Sequence, residues 1–361
     1  MAGANENWVD PLGHLAPIPE HPARKSTVLS SEVSSISDEQ LASLKVNVKL
    51  DRFGDVSLRH NKAASILGCF YQFLEDEGHT ILKKEILVLI NTEDKLFELA
   101  NHLVAAILVP FRASGNSAPK PITRPSIFAE HDHEIDETLI AIESSSRQDQ
   151  QTIKRQALQR EGYKCVYTGI FDRHSVENKK VSLPQDAKYG STECAHIIPF
   201  ALGNFHENDP LATENKAVIW FTLHRYFPAL KPKIDPGSIN QLGNVAIMFR
   251  EVHDLFGDFK LSFRPQENAP VSLFSFFQFV LSKSGSSVIC LEQHDAKVPM
   301  PDPEYFKVHH IITQILLVSG LDCEIDELLK AAEEAAENFD PNGSSDLGLL
   351  VSRRMLMHTW V

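Results

Sequence analysis

The sequence predicts a mixed α+β protein, in which a small β-β-α module is embedded in a mainly helical chain. Three observations predict it. The runs AHIIPF at 195–200 and NVAIMF at 244–249 are short, apolar and β-branched or alternating, so both read as strands. REVHDLF at 250–256 follows the second run directly and reads as the start of a helix. On either side of this segment, apolar residues recur mostly at helical spacing.

Length and composition set the frame. A chain of 361 residues exceeds one ordinary domain, and 43% hydrophobic with 23% charged residues can bury a core without staples. The longest apolar stretches, Leu103–Phe111 and Ile311–Val318, fall well short of the roughly 20 residues that span a bilayer. No membrane span is expected. The N-terminus lacks the basic start and apolar core of a secretory signal, so an intracellular location, nucleus or cytoplasm, is expected. Cysteines at 69, 165, 194, 290 and 323 include no C-x-x-C pair and do not read as a disulfide framework or a zinc ribbon.

The elements follow in order. Residues 1–40, rich in Pro, Ser, Glu and Asn, read as a flexible tail. Residues 41–112 read as a helical N-terminal domain: Ala64, Ile66, Leu67, Phe70 and Phe73 share a helical face that Gly78 is expected to stop, and further helices are expected over Thr80–Ile90 and Thr92–Val109. Residues 113–133, with the Pro-rich ASGNSAPKPITRPS, read as a linker. Polar, sparsely apolar residues from Glu134 to Glu161 read as one long helix leading into Cys165, so that 134–264 forms the next domain. Residues 201–240 exceed any hairpin turn and should contain a helix at Asn215–Phe227. Residues 265–361 read as a helical C-terminal region packed on that domain, with VSLFSFFQFVL as a buried element, Val288–Glu292 strand-like, and helices at Glu304–Gly320 and Glu324–Asn338.

Chemistry concentrates in three strings: GYKCVYTG at 162–169, TECAHIIPFALGN at 192–204 and INQLGNVAIMFREVHDLFGDFKLSF at 239–263. Pro199 ends regular pairing, which puts His196 close to a strand terminus and open to a cleft. An imidazole with an unperturbed pKa of about 6.5 can take a proton from water at neutral pH.

With C-x-x-T-G, A-H-I-I-P, Asn244 and His253 in this order, residues 165–264 resemble the HNH endonuclease superfamily, in particular the HNH domains of fungal proteins. The resemblance implies a β-β-α metal (HNH/His-Me finger) fold holding one divalent cation against a scissile phosphate of DNA. It implies His196 as general base, Asn244 as the residue that positions the loop or touches the metal, and His253 as a metal ligand. Mg²⁺ is the expected ion, with Mn²⁺ or Zn²⁺ compatible with the same donors. Many relatives carry a ligating Asp or His just before the first His, where this chain has Ala195. Water and phosphate then complete the ion, or a carboxylate enters from elsewhere, Asp254 and Asp258 being nearest in sequence, or the fold is inactive and serves as a nucleic-acid-binding or regulatory module.

Alternatives at single residues remain. Asn240 rivals Asn244 for the asparagine role. Cys165 and Cys194 are expected as small buried residues beneath the hairpin in preference to zinc ligands. His224 has aromatic neighbours that imply packing. Lys231 and Lys233 are candidates to grip phosphates, with Trp220 and Tyr226 as stacking rings or, preferably, as core. The chain carries a net charge of −13, yet Gln151–Arg264 holds 15 basic against 12 acidic residues, a local surplus of +3 that favours phosphates only modestly.

Overall fold

Apolar spacing builds helices first. The computed structural model describes residues 58–113, 122–144, 150–205, 207–265, 277–281 and 288–337. The expected tail at 1–40, residues 114–121 of the expected linker, 271–276 of the Phe-rich run and everything beyond 337 lie outside the described residues. Helices α1 (Leu58–Phe73), α2 (Asp76–Leu89) and α3 (Glu93–Leu103) open the fold, and a π-helical turn at Val104–Leu108 carries α3 into the short α4 (Val109–Arg112). Leu67, Phe70, Leu82, Ile86, Leu99 and Leu103 are buried, as the helical periodicity requires.

Gly78 does not stop a helix. α1 ends five residues earlier, at Phe73, and Gly78 lies inside α2. A Cβ there would sit 1.9 Å from the carbonyl oxygen of Tyr226, so glycine marks close helix contact and not a cap.

The single helix expected over 134–161 is two helices. α5 (Asp132–Ala141) ends where Ile142 turns extended, ψ 128°, and α6 (Gln150–Arg160) begins beyond Ser144–Ser146. A short parallel pair follows, β1 (Phe171–Asp172) with β2 (Tyr189–Gly190), on either side of α7 (Arg173–Glu177). Then come β3 (Thr192–His196), α8 (Pro210–Tyr226), β4 (Val245–Phe249) and α9 (Arg250–Gly257). The Asp209 carboxylate caps α8 by accepting from Leu211 N at 3.0 Å and Ala212 N at 3.2 Å, with Pro210 in the first turn.

The region beyond 265 is not helical throughout. β5 (Phe263–Pro265), β6 (Phe277–Leu281) and β7 (Val288–Leu291) form an antiparallel sheet in that order, and only then do α10 (Pro303–Ser319) and α11 (Leu321–Glu337) close the described chain. Gly320, φ +70°, ends α10 in the left-handed conformation that glycine adopts without strain.

These elements share their interior. One continuous core runs from Ala63 in α1 through Trp220 of α8 and Met248 of β4 to Ile325 of α11. The stretch expected as a linker between modules therefore marks no break in the core, and Phe128 within it is fully buried. Glu85 of α2, itself buried, ties α2 to α8 by accepting from Tyr226 Oη at 2.5 Å and Arg225 Nε at 2.7 Å. Among the described residues no helix is long and apolar enough to cross a membrane.

Candidate active site

The site is built on one hairpin. β3 and β4 pair antiparallel from Thr192↔Phe249 to His196↔Val245. Successive side chains on a strand point to opposite faces. Cys194 packs on one face with Ile153, Ala157, Leu158, Val245 and Ile247, which attaches α6. Glu193 and Ala195 take the other face, where α9 lies, with His253 of α9 bonded to Glu193.

The outer edge of β4 is held by side chains. Arg160, fully buried at the end of α6, donates from Nη2 to Val245 O at 2.7 Å and to Glu161, and from Nη1 to Leu242 O and Pro299 O, each at 2.8 Å. Glu161 accepts from Ile247 N at 2.7 Å, and Val166 N donates to Ile247 O at 2.9 Å. Burial raises the Glu161 carboxyl above its ordinary range, and the adjoining Arg160 guanidinium opposes that rise.

Behind His196 the chain is locked by Asn244. Its side chain is fully buried, accepts from Ile198 N at 2.8 Å, and donates to Ile198 O at 2.9 Å and Ile239 O at 3.0 Å. Its backbone carbonyl takes Ile197 N at 2.9 Å. With its amide spent on three backbone groups away from solvent, Asn244 has the geometry of a loop clamp and is not placed as a metal ligand. His196 is half-buried, with Nε2 2.8 Å from Asn240 Oδ1 and its ring 5.5 Å from that of Phe200. The two asparagines therefore divide the work: Asn244 holds the loop and Asn240 holds the imidazole.

His253 is reached from the strand. Its Nδ1 lies 2.6 Å from Glu193 Oε2, and Arg250 stands 4.0 Å from Glu193 Oε1. Glu193 was not singled out by the sequence reasoning. Its signal was the alternation of β3, because a carboxylate two residues before Ala195 must share the face from which Ala195 supplies no donor.

The remaining candidates separate. Ala195 is fully buried opposite Ala246. Asp254 is exposed, and Asp258 is exposed at the end of α9 with its carboxylate on Lys260 at 2.7 Å. Lys233 is committed to Asp302 at 2.9 Å, while Lys231 is exposed. Trp220 and Tyr226 are buried, the indole donating to Leu202 O at 2.9 Å, so neither ring is available to stack on a base. His224 bonds Ile234 O at 3.0 Å, and burial lowers its pKa, as for a packed histidine. Cys165 is buried and accepts from Thr168 N at 3.4 Å, closing the C-x-x-T-G turn. Burial pushes the Cys194 thiol up to about 12, and its side chain packs against the apolar cluster of α6 and β4. Among the described residues, no group of three or more His, Cys, Asp or Glu is placed to hold a metal ion.

The hairpin thus ends at one histidine, and the helix that follows it carries a second. Residues 165–264 match the family model described as HNH endonuclease. The match spans 100 of the chain's 361 residues. Neither a curated protein nor a solved structure matches the chain.

Proposed function

We propose that β3, β4 and α9 form a β-β-α metal nuclease module that hydrolyses phosphodiester bonds in DNA. The observation that carries the reading is the placement of two differently held imidazoles on one hairpin-and-helix unit within the HNH match: His196 at the strand end and His253 on α9.

The donor chemistry fits a divalent cation completed by water and phosphate, not a protein cage. Spending Nδ1 of His253 on the Glu193 carboxylate sets the proton there and presents Nε2 as a lone-pair donor, the usual arrangement of a metal-binding imidazole. Ala195 supplies no donor, and Mg²⁺ commonly makes do with one or two protein ligands. When bound, such a cation stabilises charge on the phosphoryl and departing 3′ oxygens. His196 takes the proton of the attacking water, Asn244 keeps Ile197 and Ile198 fixed behind it, and Glu193 orients His253.

A plasmid-nicking assay with Mg²⁺ or Mn²⁺ tests the reading by comparing the intact protein with His196→Ala. Nicking by the first and loss of at least about 100-fold in the second is expected for removal of a general base. Equal activity in both removes His196 from the mechanism. No activity in either with any metal, together with retained DNA binding, favours a non-catalytic binding module, which the missing donor at Ala195 would explain.

A further inference from the structure

A small unit made of β1, α7 and β2 is fastened to the end of the hairpin remote from His196. The buried Asp172 carboxylate caps α7 by accepting from Ser175 N at 2.8 Å, and it also accepts from Thr192 Oγ1, at the start of β3, at 2.6 Å. Its charge is spent inward. Phe171 N donates to Lys188 O at 2.9 Å, and a Cβ on Gly190 would sit 2.4 Å from the ring of Phe249, so β2 is laid on the last residue of β4. Lys154 of α6 reaches the same corner, donating from Nζ to Thr192 O at 2.8 Å.

Arg173, Lys179 and Lys180 are exposed on this unit, and Lys188 is half-buried. Backbone bonds fix two of them, Lys179 N donating to Val176 O at 3.0 Å and Lys180 N to Ser175 O at 2.9 Å. The exposed carboxylates of the unit are Glu177 and Asp186, and among the described residues none of the four cations is paired with a carboxylate. Elsewhere cations are committed, Arg112 to Asp326, Arg225 to Glu85 and Lys307 to Glu75. In a chain of net charge −13, cations left without internal partners on one unit make a local positive surface, which attracts an outside anion and adds little to the stability of the fold.

We propose that this corner, with α7 and the loop into β2 at its centre, grips the phosphate backbone of duplex DNA at a distance from the chemistry at His196. The proposal rests on the reading of this domain as a nuclease acting on DNA. Continuity with the hairpin selects a nucleic acid over another polyanion: the exposed Arg250 opens α9 with its N–H donated to Ser191 O at 3.2 Å, and His253 follows on that helix. From Thr192 to His196 the strand takes four steps, about 13 Å at about 3.3 Å each. At about 3.4 Å per nucleotide along one strand, the gripped phosphates then lie about four nucleotides to one side of a bond held at His196. Contacts of this kind position the duplex without reading its sequence.

Fluorescence anisotropy of a labelled short DNA duplex in EDTA reads binding by the full chain without turnover. Lys179→Gln/Lys180→Gln is expected to weaken binding roughly 10- to 100-fold at about 0.1 M salt and to flatten the slope of log K against log salt by about 2. Lys84→Gln/Lys95→Gln makes the same charge change at exposed positions of α2 and α3 and is expected to leave the slope in place. Lys179→Arg/Lys180→Arg keeps the cations and should bind as the intact chain does. Equal slopes in the two glutamine variants, or no duplex binding by the intact chain, overturn the proposal. Binding to phosphatidylserine vesicles in place of DNA also overturns it, and makes the corner a membrane contact. The two readings fail separately. Loss of binding in Lys179→Gln/Lys180→Gln with no nicking by the intact chain leaves the surface standing and removes the nuclease, whereas nicking by the intact chain with unchanged binding in that variant does the reverse.

Discussion

Replacing Asn244 with alanine is the sharpest perturbation of the site's scaffold. The change removes three hydrogen bonds, to Ile198 N at 2.8 Å, Ile198 O at 2.9 Å and Ile239 O at 3.0 Å. Both isoleucines are fully exclusive of solvent, so one N–H and two carbonyls lose partners where water does not reach. At about 1 kcal/mol net per bond the loss is about 3 kcal/mol, and it approaches about 5 kcal/mol if the orphaned groups retain their full desolvation cost. Asn244→Asp should be no better, because the second oxygen would face two carbonyls and the group would carry a buried charge. Urea unfolding of the metal-free protein, followed by far-UV circular dichroism and by fluorescence of the buried Trp220, measures the difference. A loss below about 1 kcal/mol, or full stability in Asn244→Asp, would refute the clamp.

Other consequences are open to direct measurement. Gly78→Ala, which inside a helix would ordinarily stabilise by up to about 1 kcal/mol, should instead destabilise by about 1–3 kcal/mol, because the methyl meets Tyr226 O; a higher unfolding midpoint would contradict the close approach. Arg160→Met leaves Glu161 buried without its cation and should cost about 3–5 kcal/mol, part of which Arg160→Met/Glu161→Gln recovers since an amide oxygen still accepts from Ile247 N; equal losses in the two variants would argue against charge as the cause. Burial lowers His309 from 6.5 to about 3 and His102 from 6.5 to about 4. Above pH 6.5 both folded and unfolded chains hold these rings neutral, and as pH falls from there the unfolded chain takes protons that the folded chain refuses, so stability is lost on acidification. Each ring contributes a slope of up to about 1.4 kcal/mol per pH unit, and His309→Leu should flatten the slope between roughly pH 6 and 5; an unchanged slope would remove His309 from the account.

The helices were legible because burial on one face imposes a period that composition reveals, as at Leu96, Leu99 and Leu103. His196, Asn244 and His253 are read from their order and spacing within one segment, and they lie on one hairpin and the helix that follows it. Asn240 was legible only as a rival, since nothing in the string INQLGN says which amide turns inward to Ile198 and which reaches the imidazole. Arg160 and Glu161 read as the solvated end of a polar helix, and their burial follows from β4 lying against them, a long-range fact without a local pattern. The break after Ala141, where Ile142 turns extended, falls in a polar run with no apolar period to mark it. The shared core had no local signature either, because Glu85 meets Tyr226 across 141 positions of sequence.

The pinning of β4 by Arg160, Glu161 and Val166 also bears on solubility. A two-stranded ribbon ordinarily presents bare amides and carbonyls to which a foreign strand can add, the first step toward edge-to-edge aggregation. Here the outward carbonyl of Val245 and both outward groups of Ile247 already have guanidinium, carboxylate and amide partners. Strand addition along that side would have to expel a buried ion pair first, so the same residues that hold the hairpin in register also act as a gatekeeper against self-templating.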